Sequence, residues 1–253
     1  HAAMLPAMSP TRDGAPRSAP GRRTPQRPSS RPVARRGAAE ARERPVRLVD
    51  QSGRPLGPRA VATRRRLLAA TEGLLDERRV RDVSVVEIAR RAGTSPATFY
   101  QYFGDVEEAT LELAREAAAR VHESLAPLGR DWRGAQGLAA ARTLVEAFVR
   151  RWDEHRAVLL FTNVAAEQGD RCFRRVRIQA MHPLIEALAA RVRATRGDRG
   201  DGLHPVAAAA ALASILERLA AYHPELEALG VGRADLVETV ARILHQTVTG
   251  QGP

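Results

Sequence analysis

The sequence predicts an all-α chain, and three observations carry that expectation. Apolar residues recur at helical spacing from Val61 almost to the C-terminus. No stretch alternates between apolar and polar as a half-buried strand does. The composition pairs 44% hydrophobic residues with only 4% aromatic ones, and Ala, Leu and Arg dominate, a mixture that favours helices over sheets. The 253 residues suit two compact domains. No run approaches the roughly 20 apolar residues of a membrane helix, and the N-terminus lacks the apolar run of a secretory signal. Cys172, the single cysteine, has no internal partner for a disulfide, so a cytoplasmic location without a membrane partner is the simplest expectation.

Taken in order, residues 1–58 read as a disordered Arg- and Pro-rich tail. They hold 10 of the 16 prolines and almost no apolar periodicity, too little to offset the entropy of ordering. The charge is concentrated there as well. Residues 1–60 carry 13 Arg against 4 acidic residues, most of the net +11. Such a tail can follow DNA phosphates or serve as a plain linker. All 40 basic residues are Arg, which points to a GC-rich coding sequence at least as much as to phosphate binding. From Val61 the pattern changes: Leu67, Leu68, Thr71, Leu74 and Leu75 mark one face of a first helix, with Thr63 and Arg64 near its start. Later helices are predicted near 105–125, 137–153, 155–167, 170–195, 205–221 and 233–249, separated by Gly, Pro or Asp breaks.

The informative stretch runs from Ser84 to Phe103. Ser84 and Glu87 have the spacing of a capping box. The short helix that they start turns Val85, Ile88, Ala89 and Ala92 inward, and Gly93 supplies the positive φ that ends it. Ser95-Pro96 restarts a helix at once, Ser as N-cap and Pro at the first helical position. Two short helices across a tight Gly-containing turn form a helix-turn-helix, and the first long helix completes a three-helix unit over residues 59–105. The second short helix would enter the major groove with Thr94, Ser95, Ala97, Thr98 and Gln101, which are small or able to meet base edges. Tyr100 and Tyr102 would donate to phosphates, as would Thr63 and Arg64 at the first helix's N-terminus. Phe99 and Phe103 are read as core.

These residues are recognisable. Thr63-Arg64 through Leu67, Ser84 through Gly93, and Ser95-x-x-Thr98-Phe99-Tyr100-x-Tyr102-Phe103 resemble the tetracycline-repressor (TetR) family over roughly residues 61–111. The resemblance implies a homodimeric, all-helical regulator, usually a repressor, whose C-terminal domain binds a small effector and releases palindromic operator DNA. Two departures stand out. Val106 occupies the place where the family usually has a phosphate-binding Lys. Residues 61–110 also carry 8 Arg and 8 acidic residues, so binding must rest on where the charges sit.

For residues 106–253, the regulatory half, the reading rests on pattern. Phe148, Trp152, Phe161, Phe173, Arg177 and Met181 are the candidate lining of an effector pocket between helices, suited to a small and largely apolar molecule. Ala209, Leu212 and Leu216, with Leu236, Val240, Ile243 and Leu244, are the candidate dimer interface, although the same faces can pack within one subunit. An enzyme is disfavoured. The seven histidines are scattered without metal-ligand spacing, and there is no Gly-rich phosphate loop or nucleophile elbow. No metal or cofactor is expected. An activator, or a low-specificity DNA-organising protein of the same fold, is the alternative function.

Overall fold

The computed structural model describes residues 48–197 and 202–251. Expectations for residues 1–47, most of the tail, lie outside the described residues. Those described fold into helices, with an isolated bridge between Val49 and Pro55 the only extended pairing. Leu48–Gly57 corrects the expected tail boundary at 58. Leu56 donates to Leu48 O at 2.8 Å, and the Asp50 carboxylate accepts from the backbone amides of Ser52 and Arg54, both at 2.9 Å. Hydrogen bonds, local ones to Asp50 and distant ones from Gln51, and not apolar burial, order this turn.

Helix α1 runs Pro58–Glu77, with Pro at its first position. α2 (Val85–Arg91) and α3 (Pro96–Tyr100) follow. α4 (Val106–Ala119) is capped by Asp105, whose side chain accepts from Glu108 N at 2.7 Å. α5 is a single turn, Val121–Ser124. α6 (Gly134–Glu154), α7 (Arg156–Glu167), α8 (Arg171–Arg196), α9 (Pro205–Glu227) and α10 (Arg233–Thr249) make the C-terminal bundle. These bounds lie close to the predicted ones, except that the helix expected over 105–125 breaks at Arg120 into α4 and α5, and except in α9. There the helix continues past 221 across a kink at Tyr222, two residues before Pro224, which cannot donate to the helical ladder.

Two apolar cores form. One is built by α6, α8, α9 and α10, with Leu144, Leu188, Leu212 and Leu244 essentially inaccessible. Trp132 is sealed into it. Its indole N–H donates to Pro127 O at 3.1 Å, and Gly137 packs so closely on it that a Cβ there would fall 1.8 Å from Trp132 O. The other core gathers Leu67 and Leu74 of α1, Ile88 of α2, Phe99 of α3 and Ala114 of α4. Val158 and Ala165 of α7, with Phe173 and Val176 of α8, complete it. The three-helix unit therefore does not close its core alone, and regulatory helices supply one wall.

Candidate functional site

The α2–α3 unit is built by local rules. Ser84 accepts from Glu87 N at 3.3 Å while the Glu87 carboxylate accepts from Ser84 N at 3.2 Å, a complete capping box. At the other end, Gly93 sits at φ +65°. Gly93 N donates to Arg90 O (3.1 Å) and Thr94 N to Ala89 O (2.9 Å), the paired bonds of a Schellman turn. Ser95 then caps α3 by accepting from Thr98 N at 3.2 Å. Phe99 is fully buried and stacks edge-on to Tyr100 at 5.8 Å, which leaves Tyr100 54% exposed on the opposite side.

The outer face of this unit collects most of the candidate DNA-binding residues. Ser84, Ser95, Ala97, Tyr100 and Gln101 are exposed, and Thr94, Thr98 and Tyr102 are half-buried. Ser84 Oγ is already engaged with the Glu87 carboxylate at 2.8 Å, and Ser95 Oγ lies 3.0 Å from Thr98 Oγ1. The ordered turn before α1 braces the back of α3. Gln51 N donates to Gln101 O at 2.9 Å, and Gln51 Nε2 donates to Tyr102 O (3.2 Å) and the Glu108 carboxylate (3.0 Å). Sequence reasoning missed Gln51 because it lies in a segment that composition assigns to the tail.

Two candidates are corrected. Arg64 is only 8% exposed, paired with Glu112 at 2.8 Å and Glu116 at 3.7 Å, its guanidinium 5.2 Å from the centre of the Phe103 ring. Its charge is spent inside the protein on α4. Thr63 is half-buried and donates to Arg59 O at 3.1 Å. Because α1 begins at Pro58, both residues lie in its second turn, beyond the free amides that attract anions.

In the C-terminal bundle, Phe148, Trp152, Arg177 and Met181 line a cavity of about 40 Å³ between α4, α6, α7 and α8. Ala114, Ala118, Val121, Arg151, Leu159, Thr162, Asn163, Val176, Ala180 and Glu217 complete the wall. Phe161 and Phe173 do not line this cavity: they stack on each other with centroids 5.2 Å apart, Phe161 lining a separate open groove between α1 and α7, Phe173 inside the core beneath the helix-turn-helix. Arg177 pairs with Glu217 at 2.9 Å, and Asn163 donates to the same carboxylate at 3.1 Å. That bond holds the guanidinium of Arg177 above its ordinary pKa. Arg151, which sequence reasoning overlooked, is 8% exposed and lies on this wall. A signal for it existed: it falls three residues after Phe148, where the apolar stripe of α6 continues.

The dimer candidates are corrected as well. Ala209, Leu212, Leu216, Leu236, Val240 and Leu244 are at most 6% exposed within the single subunit. They belong to its own core, and of the seven only Ile243, 38% exposed, faces outward. Among the described residues, no three His, Cys, Asp or Glu side chains gather as a metal site.

Comparison with known proteins agrees with this layout. Residues 67–108 match the profile of bacterial regulatory proteins of the tetR family, and residues 124–253 that of the tetracyclin repressor-like C-terminal domain. The HTH-type transcriptional regulator EthR of Mycobacterium tuberculosis is 32% identical over 92 residues, 36% of this chain and 43% of EthR. The chain thus spans less than half the length of that relative. BetI of Brucella anthropi, also an HTH-type transcriptional regulator, is 31% identical over 146 residues, 55% of this chain and 75% of BetI. The fatty acid degradation regulator FadR from Bacillus halodurans shares the fold, with a TM-score of 0.56 at 16% identity over 77% of this chain and 96% of FadR. The helix-turn-helix profile falls on the capped α2–α3 unit and the C-terminal profile on half the chain, so the chain belongs to the TetR family of bacterial regulatory proteins.

Proposed function

We propose that the protein is a sequence-specific DNA-binding transcriptional regulator, acting as a dimeric repressor that a small, mostly apolar effector releases from a palindromic operator. The observation that carries this reading is the α3 face. A short helix capped by Ser95 turns Phe99 wholly inward and leaves Ala97, Tyr100 and Gln101 exposed. Gln can pair with adenine and the Ala methyl can meet thymine, whereas a phenol positions the helix on phosphate. Val106, in the place of the usual Lys, is half-buried against the core and makes no such contact.

The cavity supports the release step. At about 40 Å³ it is far below the roughly 300–1,000 Å³ of ordinary ligand sites. An effector must therefore part the surrounding helices, and α4 forms one wall with Ala114 and Ala118. The other end of α4 holds the α3 unit: the Glu108 carboxylate accepts from Gly104 N at 2.6 Å and from Gln51. Displacing α4 moves the recognition helix, and two such helices must sit about 34–36 Å apart on adjacent major grooves. The effector must favour the displaced state by a few kcal/mol to empty the operator.

Dimerisation is assigned to the outer faces of α9 and α10. Only 44% of the most apolar 18-residue window of α9 is buried within the subunit. Its outer face presents Ala207, Ala211 and Ser214, small enough for close helix approach, and α10 presents Ile243.

Fluorescence anisotropy with the intergenic DNA beside the gene tests the reading. Binding of one inverted repeat at least about 10³-fold tighter than random duplex at physiological salt is expected. Equal affinity for both would favour a general DNA-organising role and overturn the regulator.

A further inference from the structure

Among the described residues, the cavity between α4, α6, α7 and α8 contains one cation with nothing to hold. Arg151 is 8% exposed, and its Nη2 is buried without a hydrogen-bond partner. Burial, and then repulsion from Arg120, lowers its pKa, while Glu123 and Glu154 attract it from exposed positions on either side. Neither carboxylate forms an ion pair with it; Glu154 lies 3.9 Å from Arg150 instead. The nearby anion of the wall is not available either. Glu217 is already bound by Arg177 from α8 and by Asn163 from α7. The cavity wall therefore carries two guanidiniums and one carboxylate, a surplus of one positive charge. The remaining wall is dominated by apolar groups, among them Phe148 and Trp152 on the same helix as Arg151 and Met181 on α8.

We propose that the effector is a compact monocarboxylic acid, its carboxylate on Arg151 and its apolar body between Phe148, Trp152 and Met181. This rests on the reading of the cavity as the effector site. A carboxylate matches the forked donors of a guanidinium and cancels the surplus charge. A neutral acceptor would satisfy Nη2 but leave the charge, an amine would add to it, and a dianion would overshoot. Binding would also relieve an unpaired buried charge, so the acid gains affinity that no surface arginine could supply.

Isothermal titration of the full chain with three matched head groups is the test: acid, alcohol and amine, each on a phenylpropyl and an octyl body. The expected result is that the better acid binds at least about ten-fold tighter than its alcohol, and that the amine binds weakest. In Arg151→Met the acid should fall to the affinity of the alcohol, while the ligand-free variant melts at a higher temperature than the parent. Arg151→Gln is read in the same way should the Met variant not fold. An alcohol that binds as tightly as the acid overturns the proposal and leaves an apolar effector cavity standing. An acid preference that survives both substitutions overturns the assignment to Arg151. If neither acids nor alcohols bind, the effector-cavity reading falls, and the proposal with it.

Discussion

Arg64 lies on the face of α1 that turns towards α4, so its charge meets Glu112 and Glu116 before it can meet a phosphate. A residue's type announces its charge, but its phase on a helix decides where that charge goes. Arg64→Ala should therefore lower stability by about 1–2 kcal/mol, because it removes a buried guanidinium packed on Phe103 and leaves Glu112 with Arg115 alone as partner. Denaturant unfolding measures this. The salt dependence of DNA binding should not change, whereas loss of a phosphate contact would reduce its slope by about one. The exposed α3 residues divide by chemistry. Tyr100→Phe should weaken all DNA sequences alike, and Gln101→Ala should change the preference among them, as a competition assay over operator variants would read out. Uniform effects from both would remove base readout from Gln101.

At the scale of elements, the capping box and the packed glycine carry predictions that the sequence alone does not size. The Arg78 side chain, 2.7 Å away, and then Ser84 hold the Glu87 carboxyl down from its ordinary 4.5 to about 2. A lowered folded pKa means stability that is fully present above about pH 4.5 and lost as pH falls towards 2. Glu238 on α10 behaves likewise, held to about 2 by Arg142 and then Arg242. Acid unfolding followed by circular dichroism should steepen in this window, and Glu87→Gln should flatten it. Ser84→Ala should cost about 1 kcal/mol through the lost cap. Gly137→Ala should cost about 3 kcal/mol, since its Cβ would collide with the Trp132 backbone and not with a movable side chain. The helix bounds were largely legible because caps and breakers are local: Ser84, Gly93, Ser95, Asp105 and Asp170 each act within four residues of themselves. Leu48–Gly57 was not legible, because its order comes from Asp50 and from partners some fifty residues away.

For the whole molecule, the two cores share α8, and α7 packs against both, which ties the helix-turn-helix end to the C-terminal bundle. A further tie joins α1 to the residue between α6 and α7, where His155 lies 2.7 Å from Glu72. The proposed outer-face dimer makes a contrast that sedimentation can test. Ile243→Glu and Ala211→Glu should yield folded monomers with weakened operator binding, whereas Leu244→Glu, at an inaccessible site, should unfold the subunit. A dimer that persists in both outer-face variants would place the interface elsewhere. By itself, the sequence determined the helical class, the order and most of the ends of the helices, and the helix-turn-helix. Each of these follows from periodicity, capping and turn chemistry acting over a few residues. Only the tertiary structure decided that Arg64 is spent on α4, that Leu212 and Leu244 fill the subunit's own core, and that Arg151 is left unpaired in a cavity. An amphipathic stripe specifies that a face will be buried, but which partner buries it depends on contacts between residues far apart in the chain.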